Sequence, residues 1–288
     1  MTRLLAEMQT TIFHSALPLF DGSVVRFGLF VLVQRQTMRG QTISVHALAQ
    51  SLGLPFETCR RQIGFLIDEG RCCRTGDGLI ATALSDGDAP IRALTELAHD
   101  CFVRFVEDFL PFLPTGDWED ATGSYDWQDG AQAAADMMLA VAVSNLGTHQ
   151  DWTDLVIFSA VLCANFRLVT ISPELSRRYA AVHPPVPASL LKPVRPAAIA
   201  DALHMPISTV RRRLAQQRGR AIDSSPRGLV ISMPWFNSDP AIRTSAASYA
   251  NVRRLLASLL RKGFPFHDVA TAYLKGRPAP TSFDWGGS

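Results

Sequence analysis

Long apolar runs are missing from this sequence. The most apolar uncharged stretch, residues 155–166, has 12 residues, whereas a membrane-spanning helix needs about 20. The first residues, which include Arg3 and Glu7, also lack the apolar run and the small-residue cleavage site of a signal peptide. The sequence therefore predicts a cytoplasmic protein with no membrane partner.

The common motifs of catalytic and cofactor sites are missing as well. The chain contains no Gly-Lys-Ser/Thr, no Gly-x-Gly-x-x-Gly, no Gly-x-Ser-x-Gly and no His-Glu-x-x-His. Its seven histidines are scattered, and its five cysteines include no Cys-x-x-Cys pair. These absences predict a protein that is not an enzyme, that holds no metal or other cofactor, and whose cysteines stay reduced.

Positive charge is missing from the middle of the chain. No Lys or Arg occurs in residues 105–166, where ten Asp and Glu fall. Residues 1–166 carry 10 Arg against 20 acids, a balance of −10, and residues 167–288 carry 18 Lys and Arg against 6 acids, a balance of +12. Either the basic half binds a polyanion, or the two halves attract each other.

A helix-turn-helix pattern is present twice in the 288 residues. Residues 47–63 and 198–214 align without gaps at a constant offset of 151. An apolar helical run precedes each motif, at 24–34 and 155–165, and each is followed by a hairpin and a long amphipathic helix. The long helices, predicted at 91–110 and 241–262, can pack against the repeats or against a second subunit as a homodimer. A helix is also predicted at 173–182, in about 20 additional residues of the second copy.

The second motif separates an apolar stripe from a hydrogen-bonding face. At 100° per residue, Ile207, Val210 and Leu214 lie within about 60° of one another and form the predicted core stripe. Side chains that can bond to base edges lie opposite: Ser208, Thr209, Arg212 and Gln216. Arginines that can reach phosphates flank this face or lie in the hairpin predicted at 221–231: Arg211, Arg213, Arg220 and Arg227.

This combination resembles the winged helix-turn-helix superfamily, although it indicates no subfamily. The resemblance implies a mainly α fold of two winged helix-turn-helix repeats with flanking long helices and small β-hairpin wings. It also implies double-stranded DNA as partner, with the third helix in the major groove and the wing arginine along the backbone or minor groove. We predict repeat 1 at 1–115, an acidic connector at 116–130, repeat 2 at 131–275 and a flexible tail at 276–288.

The first motif has the same skeleton but a less basic surface. Between residues 41 and 83, four arginines are balanced by four acids, so this copy should bind DNA weakly by itself. Its candidate secondary DNA contacts are Thr58, Arg60, Arg61 and Arg74. It is either a second DNA reader or a docking or dimerisation module.

The sequence thus favours a transcriptional regulator that binds specific DNA sequences mainly through the second motif. One alternative is a tandem winged-helix replication initiator that uses both copies on DNA. Another is a protein-interaction module that does not bind DNA. Aromatic residues in or near the connector can either line a pocket for a cationic effector or anchor the connector: Trp118, Tyr125, Trp127 and Trp152.

Overall fold

The computed structural model describes residues 1–82, 88–114, 118, 123–145, 147–181 and 184–285. Within these ranges the fold is mainly α, as predicted, with two small antiparallel hairpins. The helices are α1 (Thr2–Ala16), α2 (Val24–Met38), α3 (Val45–Leu52), α4 (Phe56–Asp68), α5 (Ala89–Phe109), α6 (Trp127–Ser144), α7 (Trp152–Asn165), α8 (Arg167–Ile171), α9 (Pro173–Arg178), α10 (Pro196–Ala202), α11 (Ile207–Gln217), α12 (Met233–Phe236) and α13 (Asp239–Leu260). The strands are β1 (Cys72–Thr75), β2 (Gly78–Ala81), β3 (Ile222–Ser225) and β4 (Gly228–Ile231).

The same order of elements occurs in both halves of the chain. In the first half, α1 and α2 precede the helix pair α3–α4, the hairpin β1–β2 and the long helix α5. In the second half, α6 and α7 precede α10–α11, β3–β4 and α13. The repeated unit is therefore one helix longer than the sequence pattern predicts. The additional residues of the second copy form α8 and α9, and α9 ends at Arg178, short of the predicted helix end at 182, a residue outside the described ranges.

Both hairpins are built on the same backbone contact. Ile43 and Val194, which precede the two helix pairs, each bridge to the second strand of their own hairpin. Gly78 and Gly228 open these strands at φ +146° and +137°. A Cβ at either position would lie 3.0 Å from the Ile43 carbonyl oxygen or 2.7 Å from that of Val194. Glycine is required at both positions by the positive φ and the close backbone approach.

The first helix of each half packs on the other half. Helix α1 packs against α7, and α6 packs against α2. Each of these helices also packs against the long helix of its own half, α1 on α5 and α6 on α13. The buried apolar residues consequently form one continuous core. The predicted boundaries 1–115 and 131–275 separate two sequence repeats, but these repeats do not have separate cores.

A buried carboxylate connects four helices of this core. Glu7 on α1 is 4% exposed, and its Oε1 lies 2.7 Å from Nη1 of Arg167 and 3.8 Å from Nη1 of Arg104. Its Oε2 accepts a hydrogen bond from Sγ of Cys163 at 3.1 Å. A charge in an apolar core requires such pairing. Glu7 thus holds α1 to α5 and to the junction of α7 and α8.

The C-terminal segment is packed, so the prediction of a flexible tail at 276–288 is wrong for most of it. Nη2 of Arg167 donates to the Thr281 carbonyl at 2.6 Å, and Nη1 of Arg104 donates to that of Pro278 at 3.2 Å. Thr281 and Phe283 are buried. Glycine and proline content does not reveal that two buried arginines need these carbonyls as acceptors. Residues 286–288 lie outside the described ranges.

The aromatic residues of the connector anchor it to the core. Trp118 packs on Phe266, with ring centroids 5.1 Å apart, and the Tyr125 hydroxyl is hydrogen-bonded to Nε2 of His99 at 2.7 Å. Further aromatic contacts join Trp127 to His99 and Trp152 to Phe13. These contacts favour anchoring over the predicted pocket for a cationic effector. Residues 116, 117 and 119–122 of the connector lie outside the described ranges.

No single helix in the described ranges is long and apolar enough to cross a membrane. The segments Thr2–Phe20 and Val24–Met38 are long and apolar enough only when taken together, and they are bent by 100° relative to each other.

The contact between α2 and α7 depends on the absence of a side chain at Gly28. A methyl group there would overlap the Trp152 ring, so we expect Gly28→Ala to lower the free energy of unfolding by about 1–3 kcal/mol. The matched control is Gly64→Ala on α4, where nothing lies within 4 Å of a Cβ. That control should raise stability by about 0.5–1 kcal/mol. Urea unfolding of both variants measures the difference, and equal effects would contradict this packing.

Candidate nucleic-acid interface

Helix α11 is held by a short apolar stripe. Val210 and Leu214 are fully buried, as predicted, whereas Ile207 at the start of the helix is 37% exposed. The helix packs against α10 and α7. An 11-residue helix is marginal in isolation, so its orientation depends on these contacts.

The opposite face of α11 is open to solvent. Ser208, Arg212 and Gln216 are exposed, and Thr209 is half-buried. Arg211 beside them is exposed too. Neither Arg211 nor Arg212 forms an ion pair with any residue that the structure describes. The face predicted to contact DNA is therefore accessible, and its arginines have no carboxylate partner in the described part of the chain.

Arg213 points in a different direction from its two neighbours. Its Nη1 lies 2.8 Å from Oδ2 of Asp151 and 3.2 Å from Oδ1 of Asp154, and its side chain is only 18% exposed. The position is about 60° from Val210 on the helix, so its side chain leans toward α7. The structure thus uses the predicted phosphate contact Arg213 in an internal ion pair, and we remove it from the DNA-binding set.

A corresponding link exists in the first repeat, with different chemistry. Nε of Arg26 on α2 donates to Oε1 of Gln62 on α4 at 3.1 Å. Arg26 precedes Asp154 by 128 residues, the offset between the first residues of α2 and α7, and Gln62 precedes Arg213 by 151, the offset between the two motifs. The arginine of this link lies on α2 in the first repeat and on α11 in the second. This position therefore fixes the orientation of α4 or α11, which is a structural role.

The hairpin β3–β4 carries the other predicted phosphate contacts. Arg227 lies in its turn, is exposed, and forms no ion pair within the described ranges. Arg220 is exposed, but its guanidinium donates to the Thr148 carbonyl. Arg227 is accordingly available for a ligand, whereas Arg220 is partly engaged within the protein.

Asn165 on α7 fixes the base of this hairpin, and the sequence analysis missed it. Its Oδ1 accepts from the Ile231 amide at 2.7 Å, and its Nδ2 donates to the Leu229 carbonyl at 3.1 Å. In the first repeat, Oγ1 of Thr37 accepts from the Ala81 amide at 2.8 Å. The sequence shows only that Asn165 is a polar residue at the end of an apolar helical run. This pattern does not reveal which backbone groups the side chain binds.

The charge of the two motifs differs strongly. Residues 195–228 contain seven Arg and two Asp, a balance of +5, and residues 44–78 contain four Arg and four acids, a balance of zero. Several arginines of the second segment are exposed, and their side chains form neither an ion pair nor a hydrogen bond with a described residue. They are Arg195, Arg211, Arg212, Arg218 and Arg227.

The corresponding face of α4 has mixed character. Arg60 is paired with Glu57 at 2.7 Å, and Thr58 is half-buried. Phe56 and Phe65 are 45% and 42% exposed. The remaining secondary candidates, Arg61 and Arg74, are exposed. Two cations beside two apolar rings offer less to a phosphate backbone than the second motif does.

Replacing Arg213 should affect stability more than replacing its exposed neighbour Arg211. We expect Arg213→Ala to lower the free energy of unfolding by about 1–3 kcal/mol, because Asp154 would stay buried without its partner. The control Arg211→Ala should stay within about 0.5 kcal/mol of the parent protein. Denaturant unfolding of both variants measures the effect.

The loss in Arg213→Ala should also depend on pH. Burial raises the pKa of the Asp154 carboxyl, and the Arg213 guanidinium opposes that rise. Without the guanidinium the pKa of Asp154 rises further in the folded state. The folded state of Arg213→Ala therefore loses stability as the pH rises through that pKa. Unfolding at pH 4 and pH 7 should show the larger loss at pH 7, and a larger loss at pH 4 would contradict the assignment.

We compared the chain with models of protein families, with curated proteins and with solved structures, and none matches it.

Proposed function

We propose that this protein is a transcriptional regulator that binds specific sequences in double-stranded DNA, mainly through α11 and the hairpin β3–β4. The observation that carries the proposal is the outward face of α11, where Arg211 and Arg212 are exposed and have no carboxylate partner among the described residues. Arg227 extends this surface at the turn of the adjacent hairpin. A surface that combines unpaired arginines with hydrogen-bonding side chains suits a polyanion with readable base edges.

The order of elements supports a winged helix-turn-helix type for both repeats. In each, a helix is followed by a bridging residue, a helix pair, and a hairpin whose second strand pairs with that residue. In that arrangement α11 is the helix for the major groove and β3–β4 is the wing.

The contacts divide into two groups by position. Base edges are contacted by the outward side chains Ser208, Thr209, Arg212 and Gln216. Phosphates are contacted by arginines at the rim: Arg195, Arg211, Arg218 and Arg227. Arg213 acts on DNA only indirectly, because its ion pair with Asp151 and Asp154 sets the orientation of α11.

The first repeat has a supporting role in this proposal. An initiator that places both motifs on DNA would need two cationic faces, and the zero charge balance of residues 44–78 does not favour a second one. A protein-interaction module without DNA binding would leave the cation-rich face of α11 without a ligand. We therefore assign DNA contact to the second motif and a structural role, as part of the shared core, to the first.

The specificity of Arg212 can be tested against its counterpart in the first repeat, Arg61. After selection of bound sequences from a random DNA pool, Arg212→Ala in the full chain should weaken the selected site by about 1–3 kcal/mol and change affinity for random DNA little. The control Arg61→Ala should leave both affinities within a factor of about two. Fluorescence anisotropy at one salt concentration gives all of these values. Equal losses for Arg212→Ala and Arg61→Ala would show that both motifs contact bases.

The phosphate role of Arg227 predicts a change in salt dependence. Arg227→Ala should weaken binding to all sequences and reduce the slope of log affinity against log salt by about 0.9, since one phosphate contact is lost. Titrations between about 50 and 200 mM salt measure the slope. A slope equal to that of the parent protein would exclude Arg227 from the phosphate contacts.

A further inference from the structure

A cavity of about 410 Å³ lies in the second half of the fold. Its walls come from α1, α7 and α13, together with residues 179–181, 185 and 186 of the insertion that only the second repeat carries. Most of the lining is apolar, with Leu5, Leu155, Phe158, Leu162 and Trp235 among its residues. Sites for small molecules have this size and this character.

The cavity occupies a position that is filled in the other repeat. There, the long helix α5 packs closely against α6, the first helix of the opposite half. The corresponding partners, α13 and α1, face each other across the cavity and touch at its rim, where the hydroxyls of Ser245 and Thr2 lie 3.0 Å apart. One repeat is therefore closed at this position, and the other is open.

One residue that lines this space has a buried hydrogen-bond donor without a partner. Gln9 lines the cavity and is only 2% exposed. Its Oε1 accepts from Oγ of Ser159 at 3.2 Å, while its Nε2 has no hydrogen-bond partner. An unsatisfied buried amide costs about 1–3 kcal/mol.

The cavity also has a cation without a counter-ion. Arg3 lies on the same helix, about 9 Å from Gln9 along the helix axis. It also lines the cavity, and it is half-buried whereas Gln9 is buried. Nη2 of Arg3 donates to the Ser176 carbonyl at 3.3 Å, and burial lowers the pKa of its guanidinium to about 10. The group stays positive at neutral pH. No Asp or Glu occurs among the residues described as lining the cavity.

We propose that this cavity binds a small amphipathic carboxylate. The carboxylate pairs with Arg3, and the aliphatic or aromatic body lies against Leu155, Phe158 and Trp235. One guanidinium and no second cationic side chain among the lining residues suit a single negative charge. Acids are absent from that lining, so a cationic ligand has no partner there.

The position of the cavity links such a ligand to α11, and this part of the inference rests on the proposed function. Helix α7 contributes Leu155 and Ser159 to the cavity, and on the same helix Asp154 pairs with Arg213 of α11. Thr148 also lines the cavity, and its carbonyl accepts from Arg220. A ligand that shifts α7 changes the support of α11, so the ligand regulates DNA binding.

Binding is tested directly on the full chain, without DNA. The probes are decanoate and 4-phenylbutyrate, with 1-decanol as the uncharged control, in isothermal titration calorimetry below the critical micelle concentration. We expect saturable binding of at least one carboxylate with one site per chain, at least tenfold tighter than 1-decanol. Absence of binding by both carboxylates, or equal affinity for decanoate and 1-decanol, would overturn the proposal.

Three variants locate the site. Arg3→Gln should weaken carboxylate binding at least tenfold and leave 1-decanol binding unchanged. Ala246→Trp fills the cavity from the exposed side of α13 and should abolish binding. The control is Ala250→Trp, at an exposed position of the same helix that does not line the cavity. This control should bind as the parent chain does. Equal affinities for the parent protein and Ala246→Trp would place the ligand elsewhere and overturn the proposal.

The regulatory part has its own measurement. Affinity for the selected DNA, measured with and without saturating decanoate, should differ at least fivefold, and the difference should vanish in Ala246→Trp. Carboxylate binding without a change in DNA affinity would overturn the regulatory role. Failure to bind any DNA would contradict the proposed function and not the carboxylate site, because the site is measured without DNA.

Discussion

The pairing of Glu7 with Arg167 is the interaction on which the shared core depends. It holds α1, from the first repeat, against the junction of α7 and α8 in the second, and Arg104 brings α5 to the same carboxylate. The two arginines then bind carbonyls of the C-terminal segment. Since these charges lie in an apolar interior, each is stable only while its partners remain in place. Helix α1, residues 278–281 and both repeats are thus held by one buried network.

Helix α7 transmits this constraint to the proposed DNA-binding surface. It packs on α1 and α2 on one side and on α10, α11 and β4 on the other. Asp154 and Asn165 on this helix fix the orientation of α11 and the base of the hairpin. The direction in which Arg212 and Arg227 face is therefore set by a helix buried in the core. The cavity borders that same helix.

The two repeats keep one backbone plan and differ in what they present to solvent. Gly78 and Gly228 allow the same close approach of each hairpin to the residue that bridges to it. Thr37 and Asn165 bind equivalent amides of β2 and β4. The turns differ, with Asp77 in one and Arg227 in the other. The insertion and the open cavity also occur in the second repeat alone. The two halves thus share a backbone frame, and the second has the cation-rich face.

The sequence predicts the parts of this fold that local periodicity and turn residues determine. The two helix pairs and both hairpins occur in the predicted order, and the long helices α5 and α13 begin and end within two residues of their predicted bounds. Helix α1 was not predicted, because Glu7, Gln9, Thr10 and Thr11 are buried polar residues that obscure an apolar stripe. Arg213 and the C-terminal segment were assigned incorrectly because their partners are distant in sequence. The cavity arises from the separation of α13 and α1, which no local pattern encodes.

The central claim, that α11 and the hairpin β3–β4 form the DNA-binding surface, is tested most directly by amide hydrogen exchange of the full chain. The exchange is followed by mass spectrometry at low salt, with and without a saturating DNA duplex. Our account predicts slower exchange at residues 207–218 and 224–228 on addition of DNA, and little change at 56–68. Protection confined to 56–68, or no protection anywhere at low salt, would contradict it.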